Sequence, residues 1–88
     1  MSKPILEGRV YKHFKRDMYN ISENDSKYMY RVKCIAVDAE TMAEVVVYQQ
    51  IDESGPVYTR PLEMFAGPVD KVKYPQSMQE DRFELVPE

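Results

Sequence analysis

The sequence predicts a mainly β (all-β) fold, a small curled antiparallel sheet or SH3-like barrel of about five strands, with one short helical turn after Pro61. Three observations carry that expectation. Short alternations of apolar and polar residues recur between clusters of turn formers, a β-branched run over residues 44–51 reads as a central strand, and helical spacing is confined to a single turn. A chain of 88 residues holds one domain, 1–88, and folding buries only roughly 60 to 65 per cent of the surface its unfolded form exposes.

The first strand is expected over residues 9–15, with Val10, Lys12 and Phe14 on one face and Tyr11 and His13 on the other. Residues 16–27 are rich in Asp, Asn, Ser and Glu and read as a long, partly ordered excursion anchored by Met18, Tyr19 and Ile21. In the next strand Tyr30, Val32, Cys34 and Ala36 share a face opposite Arg31 and Lys33. Beyond Lys33, Ile35 and Val37 make both faces apolar, as in a strand bending around a small barrel. Asp38 begins a turn in which its carboxylate accepts from backbone N–H groups two residues on. After the β-branched strand, residues 52–56 form a turn and 57–60 a further strand.

Pro61 ends that strand, because it has no N–H for the ladder, and its fixed φ suits the first position of a helical turn. Leu62 and Phe65 then share one side of the turn, Met64 and Phe65 plug the core, and Gly67 terminates it. Residues 68–81 carry little pattern. A closing strand follows near 82–86, with Phe83 and Leu85 on one face.

The chain has 43% hydrophobic and 31% charged residues, the composition of a globular fold. Its formal charge of −3 supplies no global attraction for phosphate backbones, so nucleic-acid binding would need a local patch. Basic residues cluster early, at Lys3, Arg9, Lys12, His13, Lys15 and Arg16, and acidic ones late, at Glu80, Asp81, Glu84 and Glu88. The lone Cys34 excludes an internal disulfide, and residues 1–7 lack the apolar run of a signal peptide. No stretch approaches the roughly 20 apolar residues that span a bilayer. A cytoplasmic protein with no membrane partner is expected.

Several blocks together resemble the bacterial domain-of-unknown-function 1653 family. They are Tyr11-Lys12-His13-Phe14-Lys15, the run from Met29-Tyr30-Arg31-Val32 through Ile35-Ala36 and Glu40-Thr41 to Val46-Val47-Tyr48, and Arg60-Pro61-Leu62-Glu63-Met64-Phe65. The resemblance covers most of residues 8–69 and implies a small β-barrel with no assigned reaction. Two departures are visible: residues 16–28 are inserted where the family usually has a glycine turn, and Tyr58 stands where the family typically has Trp.

His13 is the one side chain whose ordinary pKa lies near neutrality. It is read as packing beside Tyr11 or contacting a ligand, ahead of acting as a general base. Cys34 reads as a small buried apolar group and not as a nucleophile, and one His with one Cys builds no zinc site. Arg60, at a strand end beside a rigid proline, presents a fork suited to carboxylate or phosphate, or pairs internally with Glu63. Glu63 is read first as a cap for the turn. Tyr11, Tyr48 and Tyr58 could present ring faces to a ligand, with Lys12, Lys15 and Arg31 nearby. No glycine-rich phosphate loop exists among the three isolated glycines.

The leading expectation is a non-enzymatic binding module for a small anionic or nucleotide-like ligand or a peptide, with His13, Tyr11, Tyr58, Arg60 and Glu63 as candidate contacts. No catalytic set, metal site or cofactor is expected, and nucleic acid is disfavoured. The alternative is a protein-interaction or self-assembling domain working through sheet edges, including a homo-oligomer. An enzyme built on His13, with Cys34 or Arg60, ranks third.

Overall fold

The structure, a computed structural model, describes residues 4–87, so Lys3 and Glu88 of the charge asymmetry lie outside it. The strands are β1 (Val10–His13), β2 (Met29–Val37), β3 (Glu44–Gln50), β4 (Tyr58–Pro61) and β5 (Phe83–Leu85), with short helices α1 (Lys15–Met18) and α2 (Leu62–Phe65). They form one antiparallel sheet in the order β4-β3-β2-β1-β5.

The sheet is strongly curled but not closed. Two strands separate β3 from β5, and flat spacing would hold their side chains about 14 Å apart, yet the Tyr48 and Phe83 rings lie 5.7 Å apart. β4 and β5 remain as edges, so the open curled sheet describes the fold and a closed barrel does not.

The register defines a concave face, because directly opposed residues share a side of the sheet. Tyr11 opposes Tyr30 and Leu85, His13 opposes Phe83, Val32 opposes Tyr48, Tyr48 opposes Tyr58, and Val46 opposes Arg60. The register slips between Val32 and Cys34. This bulge corrects the simple alternation expected for β2: one extra residue at Lys33 turns Ile35 towards the core and leaves Cys34 exposed.

The main core cluster is Tyr11, Val32, Val46, Tyr48, Phe65 and Phe83, and Val10, Phe14 and Val69 are also buried. α2 closes over it as the Pro61 signal predicts, with Phe65 fully buried and its ring stacked on Phe83 at 3.9 Å. Three details differ. Pro61 still pairs with Val45 on the edge strand, where a missing N–H is harmless, and caps α2 from outside the first helical position. Met64 is exposed, since α2 is one turn long and turns only the Leu62 and Phe65 side inward. The first strand ends at His13, and Lys15 begins α1.

The two segments without periodicity are held by side chains reaching across the chain. Arg16 donates to the carbonyls of Ser22, Asp25 and Lys27 at 3.1, 2.7 and 2.6 Å, which folds the insertion around one guanidinium. Residues 68–81 return antiparallel to themselves through Val69 N–H to Glu80 and the Pro68–Asp81 bridge. Buried Gln79 ties them to β1 by donating to the Lys12 and Asp81 carbonyls. No described helix is long and apolar enough to cross a membrane.

Candidate functional site

α2 covers only part of the concave face. The uncovered part lies towards His13, Tyr30, Tyr58 and Arg60, and contains two adjoining depressions that share His13, Lys15 and Arg60. One is an aromatic recess of about 180 Å³, walled by Tyr28, Tyr30, Tyr48, Tyr58 and Phe83. The other is a cleft of about 300 Å³, to which Phe14, Asp70, Lys73, Tyr74 and Arg82 contribute.

His13 stands at the seam. Its ring stacks against Phe14 at 4.5 Å and Tyr28 at 5.6 Å, and meets the Phe83 edge at 5.0 Å. The Lys15 backbone N–H donates to its Nδ1 at 3.1 Å, so the neutral ring carries its proton on Nε2 and is a donor there. Burial first, and then the charges of Lys15, Arg60 and Arg82, push its pKa down to about 4. At neutral pH it is an uncharged hydrogen-bond donor among cations, poorly matched to a general base.

Arg60 donates from Nε to the Tyr48 hydroxyl at 3.3 Å and lies 5.7 Å above the Phe83 ring. Lys15 and Lys73 both rest on the Tyr74 ring, at 5.6 and 5.5 Å. Ring faces therefore position three of the cleft's four cations while leaving their charge uncompensated. Among the described residues the ion pairs are Lys12 with Asp17 and Lys12 with Glu84, neither in the cleft. Asp70, the cleft's carboxylate, is committed through Oδ1 to the N–H groups of Val72 and Lys73.

Tyr28 enters the recess from the insertion with φ of 65°, an unfavourable value for a bulky side chain. Both carbonyls flanking it are pinned, that of Lys27 by Arg16 and its own by the His13 N–H at 2.8 Å. The surrounding bonds thus over-determine the strained conformation.

Of the candidate residues, His13, Tyr58 and Arg60 meet here. Tyr11 lies on the same face but under α2, buried, its hydroxyl accepting from Leu6 N–H at 2.9 Å. It borders a separate cavity of about 280 Å³ whose charged members are Asp81 and Glu84. Glu63 is exposed in the first turn of α2, makes no capping hydrogen bond and does not pair with Arg60 among the described residues. Lys12 is engaged with Asp17, and Arg31 donates to the Gly8 carbonyl. Tyr28, Lys73, Tyr74 and Arg82 were missed as site residues. The Asp70 turn was the available local signal for Lys73 and Tyr74, and Tyr28 and Arg82 had none.

The chain belongs to the family described as protein of unknown function (DUF1653), whose model matches residues 9–85 and so includes every element bordering the two depressions. No curated protein and no solved structure matches.

Proposed function

We propose that this chain is a non-enzymatic binding module that captures a small anion in the cleft between His13, Arg60 and Arg82. The observation that carries the reading is the set of cations held by neutral partners. Lys15, Arg60 and Lys73 rest on aromatic rings and form no ion pair among the described residues, although the whole chain has a formal charge of −3. Four cations facing one carboxylate that already serves a turn favour an incoming negative charge. Neutral His13 adds a donor at Nε2 without adding to the repulsion among the cations. Cys34 lies outside both depressions, so it does not pair with His13 as nucleophile and base there.

Titration calorimetry with inorganic phosphate and pyrophosphate at low ionic strength tests this reading. Saturable binding that weakens with salt and is lost in the Lys15→Ala, Arg60→Ala double variant is expected. Failure of every anion to bind the folded protein would remove the proposal.

A further inference from the structure

The aromatic recess has a composition that anion capture alone does not require. Five benzene rings, an imidazole and the stems of two cations border it, with no aliphatic side chain and no carboxylate. An aliphatic ligand is best matched by Leu, Ile and Val, whereas ring faces with polar tips match a flat π-system that also needs edge hydrogen bonds. Tyr58, on the edge strand, is 43% exposed and carries one of these rings to solvent. The Tyr30 hydroxyl, protonated at neutral pH like any phenol and pushed further that way by burial, is a donor. The recess also adjoins the cleft, since His13, Lys15 and Arg60 border both.

We infer that the two depressions are one bipartite site for a planar aromatic ring bearing a phosphate, a mononucleotide being the simplest such ligand. The ring stacks in the recess with Tyr58, and the phosphate takes the Lys15, Arg60 and Arg82 end. This assignment rests on the anion reading above and adds to it a requirement for the ring. A single strand of nucleic acid offers the same unit, and its phosphates would be bound by the same cations.

The test compares adenosine monophosphate, uridine monophosphate, ribose phosphate and adenosine by calorimetry on the full chain. Both mononucleotides are expected to bind at least about tenfold more tightly than ribose phosphate, the increment expected from one stacked base. Tyr58→Ala is expected to abolish that preference and Tyr58→Phe to keep it, with circular dichroism verifying that both variants fold. Equal affinity for mononucleotide and ribose phosphate overturns the ring assignment while leaving anion capture intact. No binding of any phosphorylated probe overturns both. An oligonucleotide of about ten residues separates the sources: affinity no higher than that of the mononucleotide supports a free nucleotide, and a large, salt-sensitive gain supports a strand presenting the same unit.

Discussion

The concave face of the sheet has two halves made from the same strands, and their chemistry differs. Under α2, Val32, Val46 and Phe65 are fully buried and Tyr11 nearly so, and the Tyr11 hydroxyl is satisfied by the Leu6 N–H. Beyond α2 the face carries Tyr30, Tyr58, Arg60 and His13, whose rings are bordered by cations without carboxylate partners. Folding alone explains the covered half. The open half retains electrostatic self-repulsion and a strained Tyr28, costs that a purely structural surface would avoid.

The largest effect expected from breaking this contrast lies in the covered half. Phe65→Ala removes the ring that stacks on Phe83 and meets Tyr11 and Tyr48, and should cost about 3 to 5 kcal/mol in urea unfolding. Arg60→Ala should behave oppositely. It loses one hydrogen bond and one ring contact, costing about 1 kcal/mol of stability, yet should weaken phosphate binding by about ten- to a hundredfold. If Arg60→Ala unfolds the protein as readily as Phe65→Ala, Arg60 belongs to the core and the contrast between halves collapses.

Much of the covered half was legible because it depends on local pattern. The β-branched β3, the Asp38 turn, with Oδ1 accepting from the Glu40 N–H at 2.8 Å, and the Pro61-to-Phe65 turn all follow from spacing and side-chain chemistry. The bulge at Lys33 did not, because no glycine or proline marks it and it arises from pairing with β3. In the open half, His13 and Arg60 were legible from their residue type, and Tyr58 from its ring two residues before the Arg60-Pro61 step. Tyr28, Tyr74 and Arg82 come from segments organised by long-range bonds from Arg16 and Gln79, which leave no periodic trace.

Acid sharpens the comparison through His13. Unfolded, this side chain takes up a proton near pH 6.5, whereas in the fold it stays neutral to about pH 4. Between those values the unfolded chain binds more protons, so this contribution to stability is complete above about pH 6.5 and is lost as pH falls through the window. Partial exposure of the ring limits the loss to about 1 to 2 kcal/mol. Carboxylates titrate in the same range, so the informative quantity is the difference between wild type and His13→Gln in parallel urea unfolding series. The variant should have the shallower slope, and phosphate at saturating concentration should reduce the difference by stabilising the imidazolium. Identical slopes would mean that His13 is as solvated in the fold as in the unfolded chain.

The smallest expected effect, in Arg16→Ala, asks whether the open half depends on the insertion. Arg16 satisfies three carbonyls, but in a partly exposed loop, so its loss should cost about 1 kcal/mol, below the value for buried charge-assisted bonds. Its removal frees the Lys27 carbonyl, one of the two anchors that hold Tyr28 at positive φ, and the backbone there should relax towards an ordinary conformation. Amide exchange should accelerate across residues 22–28 while β2 and β3 stay protected. Phosphate affinity should change less than about twofold, since Lys15, Arg60, Lys73 and Arg82 are positioned by Tyr74, Tyr48, Phe83 and the Met64 carbonyl, all outside the insertion. Mononucleotide affinity should fall further, because Tyr28 is a wall of the recess and not of the cleft. Equal losses for both ligands would instead place the insertion under the cations, and the division between an anion cleft and a ring recess would have to be redrawn.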